Sequence, residues 1–162
     1  MPVRQQRSDD CGVSPMVCEA VLYQGVGVAI RILVVDDSHH FRRGARQLLM
    51  LRGFEVVNAV ADGEEALAAV IHACPDGVLL DVNLPGRDGY AVAASLAAVC
   101  PAARIVLTSS DVEGVSTAVL DDCGATAFVP KTELAIVDLG RLFSGGGYGR
   151  LDERETVGPS GT

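Results

Sequence analysis

Four apolar residues, Ile32 to Val35, run without a polar interruption and end abruptly in Asp36 and Asp37. An unbroken Val/Ile/Leu run is the pattern of a parallel strand buried on both faces. The pattern returns along the chain. Val78–Leu80 ends in Asp81, Ile105–Leu107 ends in Thr108, Ser109 and Ser110, and Thr126–Pro130 reads as a strand ending at Lys131. Phe54–Ala59 adds a short strand after Gly53.

Helical spacing fills the intervals. Ser38 is placed to cap a helix through Leu51, with Phe41, Ala45, Leu48 and Leu49 on one face and Arg42, Arg43 and Arg46 largely elsewhere. The Asp62-Gly63 turn leads into a helix carrying Ala66, Leu67, Val70 and Ile71, ended by the turn at Pro75-Asp76-Gly77. A loop over Val82–Asp88 leads at Gly89 into a helix to Val99, which Pro101 terminates. Helices are predicted over Val112–Cys123, stopped by Gly124, and over Thr132–Phe143, with Leu134, Val137, Leu142 and Phe143 apolar. Five strand–helix alternations predict an α/β fold: a doubly wound, five-stranded parallel sheet in three layers.

The domain is expected to span 29–143. Residues 1–28 match no helical or strand period and read as a poorly ordered extension, with Met16 or Val28 as later candidate starts. Residues 144–162, Gly-rich and polar, read as a disordered tail. Within Val13–Ile30 the apolar run is interrupted by Glu19 and Gln24, loosened by Gly25 and Gly27, and preceded by Asp9 and Asp10. That fits neither a signal peptide nor a membrane span, so a soluble, cytoplasmic protein is expected.

At 49% apolar content the chain has ample material for a core, and 4% aromatics with no Trp means it is built from Val, Leu and Ala. A formal net charge of −8 argues against binding a phosphate backbone directly. Cys11, Cys18, Cys74, Cys100 and Cys123 form no C-x-x-C pair and are odd in number, which reads as reduced thiols, mostly core fillers.

In a doubly wound sheet the ligand site lies beyond the C-terminal strand ends. Asp36, Asp37, Asp81, Thr108 or Ser109, and Lys131 therefore converge on one rim. Taken alone, Asp36 and Asp37 are as compatible with helix capping as with a cation. Three neighbouring carboxylates need a cation, and an all-oxygen site suits Mg²⁺. A lysine and a hydroxyl opposite would bind the oxygens of a phosphoryl group. No Gly-rich phosphate loop is present, so the phosphoryl group is expected on the protein, with Asp81 as acceptor.

The set Asp36-Asp37, Asp81-Val-Asn-Leu-Pro-Gly86 with Asp88-Gly89, the strand-four hydroxyl, and Phe128-Val-Pro-Lys131 resembles the receiver domain of bacterial two-component response regulators, especially receivers usually attached to a helix-turn-helix output domain. The resemblance implies the flavodoxin-like receiver fold. It further implies that Asp81 accepts phosphate from a sensor histidine kinase or histidine phosphotransfer protein. Asp37, Asp81 and the Asn83 backbone carbonyl would ligate Mg²⁺, with Asp36 acting through water. Lys131 would pair with the carboxylate and then the phosphoryl group. The family register favours Ser109 over Thr108 as the switch hydroxyl, and Phe128 falls at the switch aromatic, where a plain core role is equally compatible. Phosphorylation would bias a surface that binds a downstream protein, with phosphorylation-dependent homodimerisation compatible; no direct nucleic-acid or membrane contact is implied. Asp88 and Asp111 are expected to be solvated or capping, although Asp111, two residues past Ser109, could tune dephosphorylation. His39 and His40 are expected to be solvated or capping.

Only about 19 residues follow the last predicted helix, which points to a stand-alone receiver. A Mg²⁺-dependent phosphatase of similar architecture is the enzyme alternative, but such enzymes usually carry a second Asp two residues after the nucleophile, where this chain has Asn83. A degenerate, binding-only receiver would have no need of Asp36, Asp37, Asp81 and Lys131 together.

Overall fold

Beyond Arg31 and Arg104, which open two of the strands, every residue of the three central strands is buried, so each strand must be covered on both faces. The computed structural model describes residues 28–144; the expected extension and tail lie outside them, save Val28 and Ser144. The strands are β1 (Arg31–Val35), β2 (Glu55–Val60), β3 (Gly77–Asp81), β4 (Arg104–Ser109) and β5 (Ala127–Pro130). They form one parallel sheet in the order β2-β1-β3-β4-β5. The α-helices are α1 (His39–Leu51), α2 (Gly63–His72), α3 (Gly89–Val99), α4 (Thr117–Cys123) and α5 (Leu139–Ser144).

Strand alternation divides the core into two layers. Leu33, Val35, Val78, Leu80, Ile105 and Leu107 face a cluster completed by Ala66 and Val70 of α2, Val92, Ala93 and Leu96 of α3, and Cys123 of α4. Ile32, Val34, Leu79, Val106 and Val129 face the opposite cluster, with Ala45 and Leu49 of α1 and Leu139, Leu142 and Phe143 of α5. This is the expected doubly wound, five-stranded α/β sandwich of the flavodoxin-like receiver type.

Side-chain caps set the helix starts. Ser38 Oγ accepts from Phe41 N, Asp62 Oδ1 from the amides of Glu64 and Glu65, and Asp88 Oδ1 from Tyr90 N. Two starts differ from expectation. The helix predicted from Val112 begins at Thr117, because Asp111 Oδ1 accepts from Glu113 N in a local turn, Gly114 takes φ 78°, and Ser116 caps instead. The helix predicted from Thr132 is a 3₁₀ turn, Lys131–Glu133, followed by bends, and α5 starts only after Asp138, whose Oδ1 accepts from Arg141 N. Arg52 at the end of α1 explains the delay. Its guanidinium donates to the carbonyls of Val137, at 2.6 Å, and Ala135, which are thereby held by a side chain instead of a helical N–H.

Three residues depart from the expected core. Ile71, counted on the apolar face of α2, is 71% exposed. The thiols expected to be reduced are in part joined: Cys74 and Cys100 form a disulfide, their Cα atoms 6.0 Å apart, while Cys123 is free and buried. With a sequence separation of 26, spacing could not reveal that the end of α2 and the end of α3 lie side by side. Among the described residues no helix is long and apolar enough to cross a membrane.

Candidate functional site at the strand ends

The abrupt end of each buried strand exposes chemistry at one rim. Asp36 follows β1, Asp81 ends β3, and Lys131 follows β5, so three strands aim three charged groups at the same point. Lys131 Nζ lies 2.6 Å from Asp36 Oδ2 and 2.9 Å from Asp81 Oδ2. Its ammonium also rests 4.4 Å from the centroid of the Phe41 ring. Asp36 and Asp81 are buried, Asp37 is exposed, and one carboxylate oxygen from each lies within 4.8 Å of the others.

The backbone fixes the free carboxylate oxygens. Asp36 Oδ1 accepts from Ser38 N at 2.8 Å, and Asp81 Oδ1 accepts from Asn83 N at 3.0 Å. Arg42, one turn into α1, donates to the carbonyls of Asp36 at 2.6 Å and Asp37 at 3.0 Å, pinning the acidic loop. On the other side, Gly89 lets α3 pack directly on the strand end: a Cβ there would lie 2.5 Å from Val82 Cα and 2.6 Å from Asp81 O.

Burial dominates the electrostatics of Asp36 and raises its pKa; the Lys131 and Ser38 hydrogen bonds only partly oppose this, and the nearby Asp81 charge adds to it. For Lys131 burial works against the charge, but Asp36 and Asp81 outweigh it and its pKa is raised. The ammonium is held firmly cationic between two carboxylates. An all-oxygen cluster with one carboxylate open to solvent fits a hard divalent cation such as Mg²⁺, which keeps several waters and takes few protein ligands.

Ser109 and Thr108 diverge, as adjacent strand residues must. Ser109 Oγ accepts from Asn83 Nδ2 at 2.9 Å and from Asp111 N at 3.0 Å, and it lines a cleft of about 540 Å³ shared with Asn83, Arg87, Tyr90 and Asp111. Thr108 is fully buried and its Oγ1 has no hydrogen-bond partner among the described residues. Phe128 is half-buried, in register with Leu107, and packs against the same core layer as that residue. Asp88 serves as a helix cap, and His39 and His40 are exposed.

Sequence reasoning missed three contributors: Phe41 against the ammonium, Arg42 on the acidic loop, and the Asn83 side chain on Ser109. The available signal for Arg42 was its place one helical turn after Ser38, within reach of the carbonyls that precede the helix.

A parallel sheet carrying this acidic rim, with a lysine delivered from the edge strand, defines an α/β protein with a carboxylate cluster fit for a cation at its strand ends. The response regulator receiver domain matches residues 32–139, and the chain belongs to that family. Receiver domains are aspartate-phosphorylated, Mg²⁺-binding phospho-switches of two-component signalling. Among solved structures, the signal receiver domain of the putative response regulator NarL from Mycobacterium tuberculosis is 32% identical, with a TM-score of 0.57 over 66% of this chain and 90% of that one. Vibrio cholerae chemotaxis protein CheY4 is 28% identical, with a TM-score of 0.63 over 70% of this chain and 98% of that one. Among curated relatives, protein-glutamate methylesterase/protein-glutamine glutaminase 5 of Myxococcus xanthus is 40% identical over 120 residues, 73% of this chain. The chain spans about a third of that relative's length, 34%.

Proposed function

We propose that the chain is a phosphoryl-accepting switch in which Asp81 is the acceptor. A carboxylate oxygen of Asp81 attacks the phosphorus of a phosphohistidine on a sensor histidine kinase or phosphotransfer protein; the P–N bond breaks, the imidazole leaves with a proton, and an acyl phosphate forms on Asp81. The observation that carries this reading is Lys131 Nζ, 2.9 Å from Asp81 Oδ2 and 2.6 Å from Asp36 Oδ2, beside the three clustered carboxylates.

Asp37, Asp81 and the Asn83 backbone carbonyl would hold Mg²⁺ directly, with Asp36 one water away. The ion, when bound, offsets the charge that collects on the phosphoryl oxygens. Lys131 follows the transferred charge from the carboxylate to the phosphoryl group. Ser109 swings its hydroxyl toward that group, and Phe128 fills the space behind it, which changes the surface around α4 and β5. The activated surface then binds a downstream protein in the cytoplasm or a second phosphorylated copy. The methylesterase activity named for the curated relatives is not assigned to this chain, which spans about a third of their length.

Adding BeF₃⁻ and Mg²⁺ to the full chain is expected to shift the amide resonances of Ser109 and Phe128, and Asp81→Asn to remove the response. An unchanged wild-type spectrum overturns the proposal. Repeated turnover of a small phosphate ester, many per protein, would favour a phosphatase instead.

A further inference from the structure

Far from the acidic rim, the disulfide ties the two ends of the β3–α3 unit together. Cys74 lies in the turn between α2 and β3, and Cys100 caps the end of α3, its N–H donating to Leu96 O. The cross-linked segment therefore contains all of β3, the loop after Asp81, and all of α3. Asp81 sits at the opposite end of β3, about 13 Å along the strand from Gly77. The two residues differ in access: Cys74 is exposed, whereas Cys100 is 3% exposed. Arg31 Nη1 donates to the Cys74 carbonyl at 3.3 Å, which ties the backbone at Cys74 to the start of β1.

We propose that Cys74 and Cys100 are a redox modification site, closed and opened by thiol–disulfide exchange with a low-molecular-weight disulfide of the glutathione class, and that closure stiffens the domain. The Cys74 thiolate attacks one sulfur of the small disulfide and expels the first thiolate, leaving a mixed disulfide on Cys74. The Cys100 thiolate then attacks the Cys74 sulfur and expels the second. The protein dithiol is oxidised to a disulfide by two electrons, and the small disulfide is reduced to two thiols. Reduction retraces the same path and begins at Cys74, the exposed residue of the pair. Closing a loop of 26 residues restricts the unfolded chain and raises the melting temperature, by about 10 °C for a domain of this size. The inference does not depend on phosphorylation of Asp81.

The full chain is equilibrated in oxidised and reduced glutathione at graded ratios, acid-quenched, denatured, alkylated with a maleimide and peptide-mapped by mass spectrometry. Cys74 and Cys100 are expected to lose alkylation together in one two-electron transition, with Cys123 alkylated at every ratio. The oxidised form should melt about 10 °C above the reduced form. In Cys100→Ser, Cys74 should retain a glutathione adduct that Cys100 does not acquire in Cys74→Ser. Alkylation of both cysteines at every ratio, a link mapped from either one to Cys11 or Cys18, or equal melting temperatures for the two redox forms would each overturn the proposal. The wild-type mapping decides even if a serine variant fails to fold.

Discussion

Asn83 Nδ2 donates to Ser109 Oγ across 2.9 Å, tying the loop after β3 to the end of β4. The same oxygen accepts from Asp111 N, so two donors hold the hydroxyl in the cleft. If Ser109 must move toward a phosphoryl group on Asp81, the Asn83 bond opposes that motion. Asn83→Ala removes the donor but keeps the backbone carbonyl assigned to Mg²⁺. One hydrogen bond of this kind is worth about 1 kcal/mol net, so BeF₃⁻ should bind roughly fivefold more tightly in a fluorescence or NMR titration at saturating Mg²⁺. Unchanged or weaker binding would show that the bond does not restrain the switch.

Lys131 is the sole counter-charge that reaches both Asp36 and Asp81 among the described residues. Removing it strands two buried carboxylates side by side. Lys131→Ala is expected to lower stability by about 2 kcal/mol in urea unfolding without divalent ions, below the full cost of breaking a deeply buried pair because the ammonium is partly solvated. Mg²⁺ should restore much of that loss, since a second cation can occupy the same acidic cluster. A loss insensitive to Mg²⁺ would mean that packing against Phe41 matters more than charge.

The buried strands and their charged ends were legible because a two-sided parallel strand leaves an uninterrupted apolar run, and the topology then sends every strand's C-terminal end to one rim. Side-chain reach left no such trace. Arg52 delays α5 by taking two carbonyls more than eighty residues away, and Cys74 meets Cys100 only because α2 and α3 pack side by side. Asp36 and Asp37 could be split by burial only once the fold was built: Asp36 is enclosed against Lys131 and Asp37 faces solvent. Ser109, favoured over Thr108 by the family register alone, lines the cleft, a placement strand alternation cannot supply because it separates the two hydroxyls without saying which side is open.

Burial sets the charged form of Asp36 at a disadvantage despite its pairing with Lys131. Burial, ahead of every other influence, raises its pKa above the ordinary 3.8, so the folded state favours the protonated acid relative to the unfolded chain. Its ionisation therefore removes stability as pH rises from 3.8 through the raised folded value, and the penalty is complete above that value. Asp36→Asn keeps an oxygen to accept from Ser38 N while discarding the charge. The variant should be about 1 kcal/mol more stable than wild type at neutral pH without Mg²⁺. That advantage should shrink as pH falls, and Mg²⁺ affinity should drop at least tenfold, on the order of one lost charge interaction. Urea unfolding across pH, with a parallel Mg²⁺ titration, checks both; a variant less stable than wild type at neutral pH would show that the Lys131 pair outweighs desolvation.

Thr108 and Ser109 offer the sharpest contrast, since one chain position separates a hydroxyl with two donors from a hydroxyl with none. Thr108 Oγ1 is buried without a partner, a cost that a methyl group of similar size would not incur. Thr108→Val is expected to raise stability by about 1 kcal/mol and leave the BeF₃⁻ response intact. Ser109→Ala should leave stability within about 1 kcal/mol, because its oxygen lies at a cleft where water can serve Asn83 Nδ2 and Asp111 N. The same variant should blunt the spectral change at Phe128, which follows only if the hydroxyl carries the signal. Chemical denaturation and BeF₃⁻-dependent NMR on both variants separate the roles. If Thr108→Val abolished the response while Ser109→Ala preserved it, the switch would have to be assigned to the buried face of β4.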